Sequence, residues 1–350
     1  MAQYRTKHVD DFEQIVFCED TEAGLEAIIA IHDTTLGPAL GGCRLWPYPN
    51  EREAFDDVMR LARGMTRKAA MAGLPLGGGK AVIIADPKTA ARPALLAGFG
   101  RFVDRLGGRY ITAEDVGTST EDMEIVACET RHVSGRRTGS GDPSPHTAYG
   151  VFTGIRAAVR HCLGGDSLIG AKVAVQGLGH VGMNLCRLLH DAGADLFVTD
   201  IAAAPIARAA EKFGAHAVAP DAIYDVAADL FAPCALGGAI SADTVRRLKV
   251  GIVAGSANNQ LSEPSDGAAL AGRGILYAPD YVINAGGLIN VSWDVTNPDL
   301  PYDSNLMRAR VERIGPTLTD IFNRAKAERR PTNEIADAVA DARLSHAQAA

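Results

Sequence analysis

The stretch VAVQGLGHVGMNLCRLLHDAGADLFVTD, residues 173–200, changes pattern three times within one continuous run. Val173–Val175 is a short apolar run with β character, Gly177, Gly179 and Gly182 follow at G-x-G-x-x-G spacing, and the residues after them have helical periodicity. A second apolar run ends at Asp200. Strand, glycine turn, helix and second strand make a βαβ unit, whose first turn accepts a pyrophosphate at the helix N-terminus. Gly177 permits the tight turn, Gly179 lets the backbone approach the phosphates, and Gly182 lets the helix pack closely on the strand; His180 and Val181 complete the turn. Asp200, 23 residues beyond Gly177, is placed to accept hydrogen bonds from an adenosine ribose. Its charge, with IAAAP following and no adjacent arginine, opposes a ribose 2′-phosphate, so the expected cofactor is NAD.

Outward from this unit the alternation continues. KVAVQG, DLFVTD, DLFAPCA, GIVAGSA and GILYAPDYVIN are short apolar runs closed by turn residues, most of them followed by a helical stretch, which predicts a largely parallel sheet. Ligands of such sheets bind beyond the carboxyl ends of the strands. Cys234, Ala235, Asn258 and Asn284, at the ends of these runs, are therefore candidates for the nicotinamide end of the cofactor site. In the first half, GLEAIIAIHD, AVIIAD and RYITAED read as strands. SGRRTGSGDPSPHTAYG, residues 134–150, is rich in Gly, Ser and Pro and predicts a crossing with neither helix nor strand. The expected fold class is α/β: an N-terminal α/β substrate-binding, catalytic and oligomerisation domain over 1–143, a Rossmann-type doubly wound NAD-binding domain over 144–328, and a cleft between them. A helical tail, 329–350, is expected to pack back on the first domain.

Composition excludes several alternatives. A net charge of −7 with both signs interspersed, and no basic block longer than pairs such as Arg136–Arg137 or Arg329–Arg330, argues against a nucleic-acid partner. No apolar run reaches the roughly 18 residues of a membrane span, and MAQYRTKHVDDFEQIVF lacks a basic start followed by an apolar core, so a cytoplasmic location is expected. The six cysteines contain no C-x-x-C pair and the nine histidines no H-E-x-x-H, so reduced thiols and no metal are expected.

GMTRKAAMAGLPLGGGK, residues 64–80, ends like a phosphate loop but is not one. Leu74 stands where the first glycine is needed, Ala81 where the hydroxyl is needed, and an apolar strand follows instead of a helix. Upstream, a helix is predicted from an Asn50 N-cap, with Glu53 three residues on, to Gly73; Ala54, Val58, Leu61, Ala62 and Met65 make its apolar face. Lys68 lies seven positions after Leu61, within about 20° of it on the helix, and needs an anion or a functional use there. Lys80 is read as starting a strand after glycines that bring backbone close to a ligand. Neighbouring cations disfavour each other's charge, and a lysine so placed can serve as a general base. ITAEDVGTST supplies an acid, Glu114 or Asp115; strand alternation sends one of them inward and leaves open which.

In order along the chain, IAIHDTTLGPALGG, GMTRKAAMAGLPLGGGK, GRYITAEDVGT, PSPHTAYGV, VQGLGHVG, FAPCALGG, AGSANNQL and YAPDYVINAGG resemble the amino-acid dehydrogenase family that includes the glutamate, leucine, phenylalanine and valine enzymes, most closely its leucine/valine branch. The resemblance spans about residues 12–291. It implies reversible NAD-dependent oxidative deamination of an L-amino acid to a 2-oxo acid and ammonium. It assigns Lys68, with backbone near Gly41 and Gly42, to the substrate carboxylate, Lys80 to activation of water, and Asp115 to proton transfer at the amine; Thr147, Asn258 and Asn284 fall at the nicotinamide end. Glutamate-specific relatives carry a lysine and a serine where this chain has Leu40 and Val291; with Met65, Ala113 and Leu288 these line an apolar pocket for a branched-chain side chain. An aromatic amino acid such as phenylalanine or tryptophan is the alternative substrate, and a catalytically silent sensor the alternative from another class. The segment SWDVTNPDLPYD departs from the branch and puts Trp293 near the pocket rim, where it either shapes the pocket or packs between the terminal helices. A homo-oligomer is implied.

Overall fold

In the computed structural model, which describes residues 2–7, 9, 11–137 and 139–348, the chain separates into two units. One comprises 1–142, 291–303 and 340–350, the other 143–290 and 304–339. The first division falls one residue before the expected boundary at 143. The other divisions differ from the expected scheme: 291–303 groups with the first unit, and the C-terminal division comes at 339/340 rather than 328/329. Hydrogen bonds explain both. Asp294 is tied to residues 134–140, whereas Thr332 donates to the Tyr277 carbonyl and Tyr281 to Asp337, holding that stretch in the second unit.

The first unit is built on a mixed six-stranded sheet of order β1-β2-β3-β5-β4-β6: β1 (Ala2–Lys7), β2 (Gln14–Asp20), β3 (Leu25–Asp33), β4 (Ala39–Trp46), β5 (Gly77–Ile84) and β6 (Tyr110–Glu114). β4 runs parallel to both β5 and β6. Helix α1 (Glu51–Ala72) covers one face; α2 (Arg92–Arg105) and α3 (Thr120–Ala127) cover the other. Both faces are buried, so the strands are apolar at consecutive positions and their side chains divide by parity. Ile28, Ala30 and Val82 pack with Ala54, Val58 and Ala62 of α1, while Leu25, Ala27, Ile29, Cys43, Leu45, Ala81 and Ile83 pack with Leu96, Phe99 and Val103 of α2. α1 starts as predicted, with Asn50 Oδ1 accepting from the Glu53 N–H at 2.9 Å, and ends on Gly73 at φ 66°.

The second unit has an all-parallel six-stranded sheet. Its elements are α4 (Ser144–Leu163), β7 (Lys172–Gln176), α5 (His180–Asp191), β8 (Asp195–Thr199), α6 (Ala203–Phe213), β9 (His216–Ala217), β10 (Leu230–Pro233), α7 (Ala242–Arg247), β11 (Ile252–Val253), α8 (Ser265–Gly272), β12 (Leu276–Tyr277) and α9 (Asp280–Ile283). α10 (Gly286–Thr296) follows, then α11 (Ser304–Glu312), α12 (Ile314–Glu328) and α13 (Thr332–Gln348). The order β12-β11-β10-β7-β8-β9 places the first strand centrally, with the chain running outward on one side and then on the other. This is the doubly wound dinucleotide-binding topology, and its switch point lies between β7 and β10.

Three expectations need correction. Residues 144–150 are helical, opening α4, because Pro143 and Pro145 occupy a helix start, where no N–H is needed; Thr138, within the expected crossing, lies outside the described residues. GILYAPDYVIN is a strand only at Leu276–Tyr277, after which Pro279 precedes α9. Lys80 does not start a strand: the three glycines before it are themselves inside β5. Their small size is used in packing. A Cβ on Gly78 would overlap the backbone of Thr66 on α1, and one on Gly77 would overlap the Asp33 carbonyl oxygen.

Candidate active site

Parity on the first sheet collects the predicted residues on one face. Gly78, Lys80 and Val82 of β5 face α1, as do Leu40, Gly42 and Arg44 of β4, and Ile111 and Ala113 of β6 with Asp115 just beyond it. Lys80 is 4% exposed, and its Nζ lies 2.9 Å from Asp115 Oδ2. Alternation sends Glu114 the other way, where its Oε2 accepts from Thr120 Oγ1 of α3 at 2.8 Å. Asp115 is thus the acid that meets the lysine.

The turn after β6 fixes that carboxylate. Thr118 Oγ1 accepts the Asp115 N–H at 2.9 Å and donates to the Cys43 carbonyl at 2.9 Å. Gly42 leaves the space Asp115 needs, since a Cβ there would stand 2.8 Å from the Asp115 Cβ. Burial pushes the Asp115 carboxyl up, but the cations of Lys80 and Arg44 outweigh it and hold the group below the usual carboxylate range. Arg44 was not among the sequence candidates, yet its Nε donates to the same oxygen at 3.1 Å. A signal existed: Asp57, which binds Arg44 Nη1 at 2.8 Å, lies eleven residues before Lys68, three helical turns along the same stripe of α1.

Lys68 and Met65 are half-buried on α1, and Gly41 and Gly42 lie inside β4, in register with Thr112 and Ala113. Leu40, Ala113 and Val291 are buried and apolar. Val291 reaches the first sheet through Ser134, whose N–H donates to the Thr112 carbonyl at 2.8 Å and whose Oγ donates to the Val291 carbonyl at 2.5 Å. Asp294 reinforces this, accepting the Gly135 N–H at 2.9 Å and the Ser140 N–H and Oγ at 2.9 and 2.7 Å. Trp293 packs within its own segment, edge-on to Tyr302 and with Nε1 donating to the Leu300 carbonyl at 3.4 Å. Leu288, also buried, belongs to the part of α10 in the second unit.

In the second unit Gly177 has φ 98°, and a Cβ there would stand 2.7 Å from the Ala235 nitrogen beyond β10, so the loop passes through the switch point. A Cβ on Gly182 would overlap the Gly177 carbonyl, whereas one on Gly179, the α5 N-cap, would meet nothing within 4 Å. Packing therefore explains Gly182, and open space lies beside Gly179, as a bound pyrophosphate requires. His180 and Ala235 are exposed, Val181 and Cys234 half-buried. Asp200 accepts the N–H of Leu178 at 2.7 Å and of Ala202 at 2.9 Å, and among the described residues no cation pairs with it. Asn284 is buried; its Nδ2 donates to the Ser256 carbonyl at 3.0 Å and to Asn258 Oδ1 at 2.9 Å, while its Oδ1 has no partner. A buried acceptor without a donor costs stability until a ligand donor or water meets it. Thr147 donates to the Pro143 carbonyl at 3.0 Å, and Gly287 is small where a Cβ would stand 2.5 Å from Thr147 Oγ1. The residues of this unit fit a dinucleotide.

Residues 12–132 match the model of the Glu/Leu/Phe/Val dehydrogenase dimerisation domain, and residues 139–203 and 198–348 match that of glutamate/leucine/phenylalanine/valine dehydrogenase. The chain belongs to this amino-acid dehydrogenase family. Its members depend on NAD or NADP. The leucine dehydrogenase of Geobacillus stearothermophilus is 53% identical over 98% of this chain and 94% of its own. The crystal structure of L-tryptophan dehydrogenase from Nostoc punctiforme superposes with a TM-score of 0.80 at 46% identity, covering 97% of each chain. A hetero-hexameric glutamate dehydrogenase from Thermus thermophilus, in its leucine-bound form, superposes at 0.79 with 25% identity over 99% of this chain and 88% of its own. Among the described residues no helix is long and apolar enough to cross a membrane, and no cluster of potential metal ligands occurs.

Proposed function

We propose that the protein catalyses the reversible reaction of a branched-chain L-amino acid, leucine foremost, with NAD and water to give the 2-oxo acid, ammonium, NADH and a proton. The observation that carries this reading is the buried Lys80–Asp115 pair on a sheet face that also bears the apolar Leu40 and Ala113. Lys68 binds the substrate carboxylate, with the Gly41–Gly42 strand alongside. When bound, the dinucleotide supplies the acceptor for the hydride that leaves the substrate Cα. The resting pair first passes a proton from Lys80 Nζ to Asp115 Oδ2, and the neutral Lys80 then takes a proton from the water that adds to the resulting imine carbon. Asp115, 2.9 Å from Lys80, hands the proton it received to the amine, which restores the charged pair, and as the C–N bond breaks the hydroxyl proton leaves with the ammonia as ammonium. The ammonium groups of Lys68 and Lys80 also stabilise the negative charge that develops on the adding oxygen.

Leu40, Ala113 and Val291, all in the first unit, supply no counter-charge for an acidic side chain, which favours aliphatic substrates over glutamate. Initial rates of NADH formation with leucine, valine, isoleucine, phenylalanine, tryptophan and glutamate test this. Leucine is expected to exceed tryptophan in kcat/KM by at least about tenfold, the scale on which apolar pockets discriminate by size. Tryptophan as best substrate would instead favour the aromatic alternative that the Nostoc relative represents, and glutamate as best substrate would reject the pocket.

Asp200, free of any cation partner among the described residues, supports NAD over NADP. Asp200→Ala is expected to narrow the ratio of kcat/KM for NAD over NADP by about tenfold, the equivalent of ~1.4 kcal/mol of lost repulsion. An unchanged ratio would place the discrimination elsewhere. Unpaired thiols suit a reducing, cytoplasmic compartment. Assembly as a homo-oligomer follows the family's dimerisation domain.

A further inference from the structure

Arg44 approaches Asp115 almost as closely as Lys80 does. Its Nε lies 3.1 Å from Asp115 Oδ2, the oxygen that Lys80 Nζ meets at 2.9 Å. Its Nη1 donates to Asp57 Oδ2 at 2.8 Å, and that oxygen also accepts the Tyr48 hydroxyl at 2.6 Å. Asp57 Oδ1 takes a further bond from Arg60 at 3.0 Å. A β4 side chain is thus held between a carboxylate of α1 and the carboxylate that follows β6. The side chains of Arg44, Asp57 and Asp115 are 18%, 13% and 14% exposed, so these are not solvent-screened surface pairs.

A guanidinium stays charged through the working pH range and presents its donors in a rigid plane. With Nη1 fixed by Asp57, the direction of Nε is fixed as well. If Arg44 served only to join β4 to α1, its bond to Asp57 would suffice; its Nε instead meets the oxygen that Lys80 uses. We propose that Arg44 is a positioning residue for the reaction, clamping the Asp115 carboxylate against Lys80, and that Asp57 and Tyr48 set where the clamp sits. This rests on the reading of Lys80 and Asp115 as the proton-transfer pair.

The groups around Asp115 are Lys80 from β5, Arg44 and the buried Cys43 thiol from β4, and the Tyr110 phenol from β6. α1, packed on the same face, adds Asp57, which reaches Asp115 through Arg44, and carries Lys68 three turns further along the helix. Of these, Lys80 and Arg44 oppose the effect of burial on Asp115. Without Arg44 the carboxyl moves up, and the acid limb of the kcat/KM profile moves to higher pH with it.

The test is the pH profile of leucine deamination by the full-length protein and its Arg44→Met, Arg44→Lys and Tyr48→Phe variants, with Lys80→Ala as control. Arg44→Met is expected to lower kcat roughly 30- to 100-fold, with KM for leucine within about threefold and the acid limb raised by about one pH unit. Arg44→Lys is expected to recover part of both effects, since it restores charge without the planar two-point grip. Tyr48→Phe keeps Arg44 and Asp115 and is expected to move the limb in the same direction by less, which decides the matter if Arg44→Met does not fold. A folded Lys80→Ala control that keeps kcat within tenfold of the parent overturns the pair and the clamp with it. With that control inactive, an acid limb unmoved in both Arg44→Met and Tyr48→Phe overturns the clamp alone, however far kcat falls.

Discussion

Lys80→Ala is expected to lower kcat for leucine deamination by about three orders of magnitude, within the 10²–10⁴ range of a positioned proton-transfer group. Lys80 is 4% exposed and its Nζ is 2.9 Å from Asp115, so no solvent molecule takes its place without entering a packed sheet face. The effect reaches Asp115 as well. Burial already works against the ionised carboxyl, and removal of Lys80 leaves Arg44 as the remaining cation known to oppose it. The folded carboxyl, held below its unfolded value, contributes stability that is present above the unfolded value and is lost as pH falls through the folded one. Lys80→Ala should therefore also lose stability relative to the parent at neutral pH, a deficit that shrinks as pH falls through the folded value. Steady-state kcat and KM, with circular dichroism at neutral pH to establish folding, provide the check. A loss below tenfold in a folded variant would remove Lys80 from the chemistry.

The parts of this molecule that could be read from its sequence are those encoded by neighbouring residues. The βαβ unit over 173–200 is continuous, and strand, turn, helix and acid appear in β7, α5 and β8 within a residue or two of expectation. α1 was legible for the same reason, since its cap and its apolar stripe are both local. Arg44 was not, because the residues that give it meaning, Asp57 and Asp115, lie 13 and 71 positions away. The grouping of 291–303 with the first unit depends on bonds from Asp294 to residues some 154 to 160 positions earlier, for which no local pattern exists. The glycines of GLPLGGGK misled in another way. Glycine marks turns because it tolerates unusual backbone angles, and sequence alone does not separate that use from the need for a missing side chain. Here the strand β5 runs straight through them.

That second use gives Gly78→Ala a large expected structural effect. A Cβ on Gly78 would overlap both the backbone nitrogen and Oγ1 of Thr66, so the methyl meets a helix backbone rather than a side chain free to rotate. Thr66 is itself held, its Oγ1 bonded to His32 Nδ1 at 2.7 Å. Relief requires α1 to lift from β5, which opens the core formed by Ala54, Val58, Ala62 and Val82 and displaces Met65 and Lys68 from the face that carries Lys80. Overpacking of this kind costs about 1–3 kcal/mol where neighbours can yield, and more where backbone must move. Gly78→Ala is expected at or above ~3 kcal/mol, or to leave no soluble enzyme. Gly79→Ala is the matched control: its Cβ would stand 2.9 Å from the Tyr110 ring and 3.1 Å from the Ala30 carbonyl oxygen and the Ala39 Cβ, a smaller overlap than the 2.1 Å approach of a Gly78 Cβ to the Thr66 nitrogen. Thermal unfolding of both variants, followed by calorimetry because two units need not melt as one, should show the larger loss for Gly78→Ala. Any folded Gly78→Ala should also have a raised KM for leucine, because Lys68 moves with α1. Equal stability of the two variants would mean that α1 does not rest on Gly78, and the glycine run would need a different explanation.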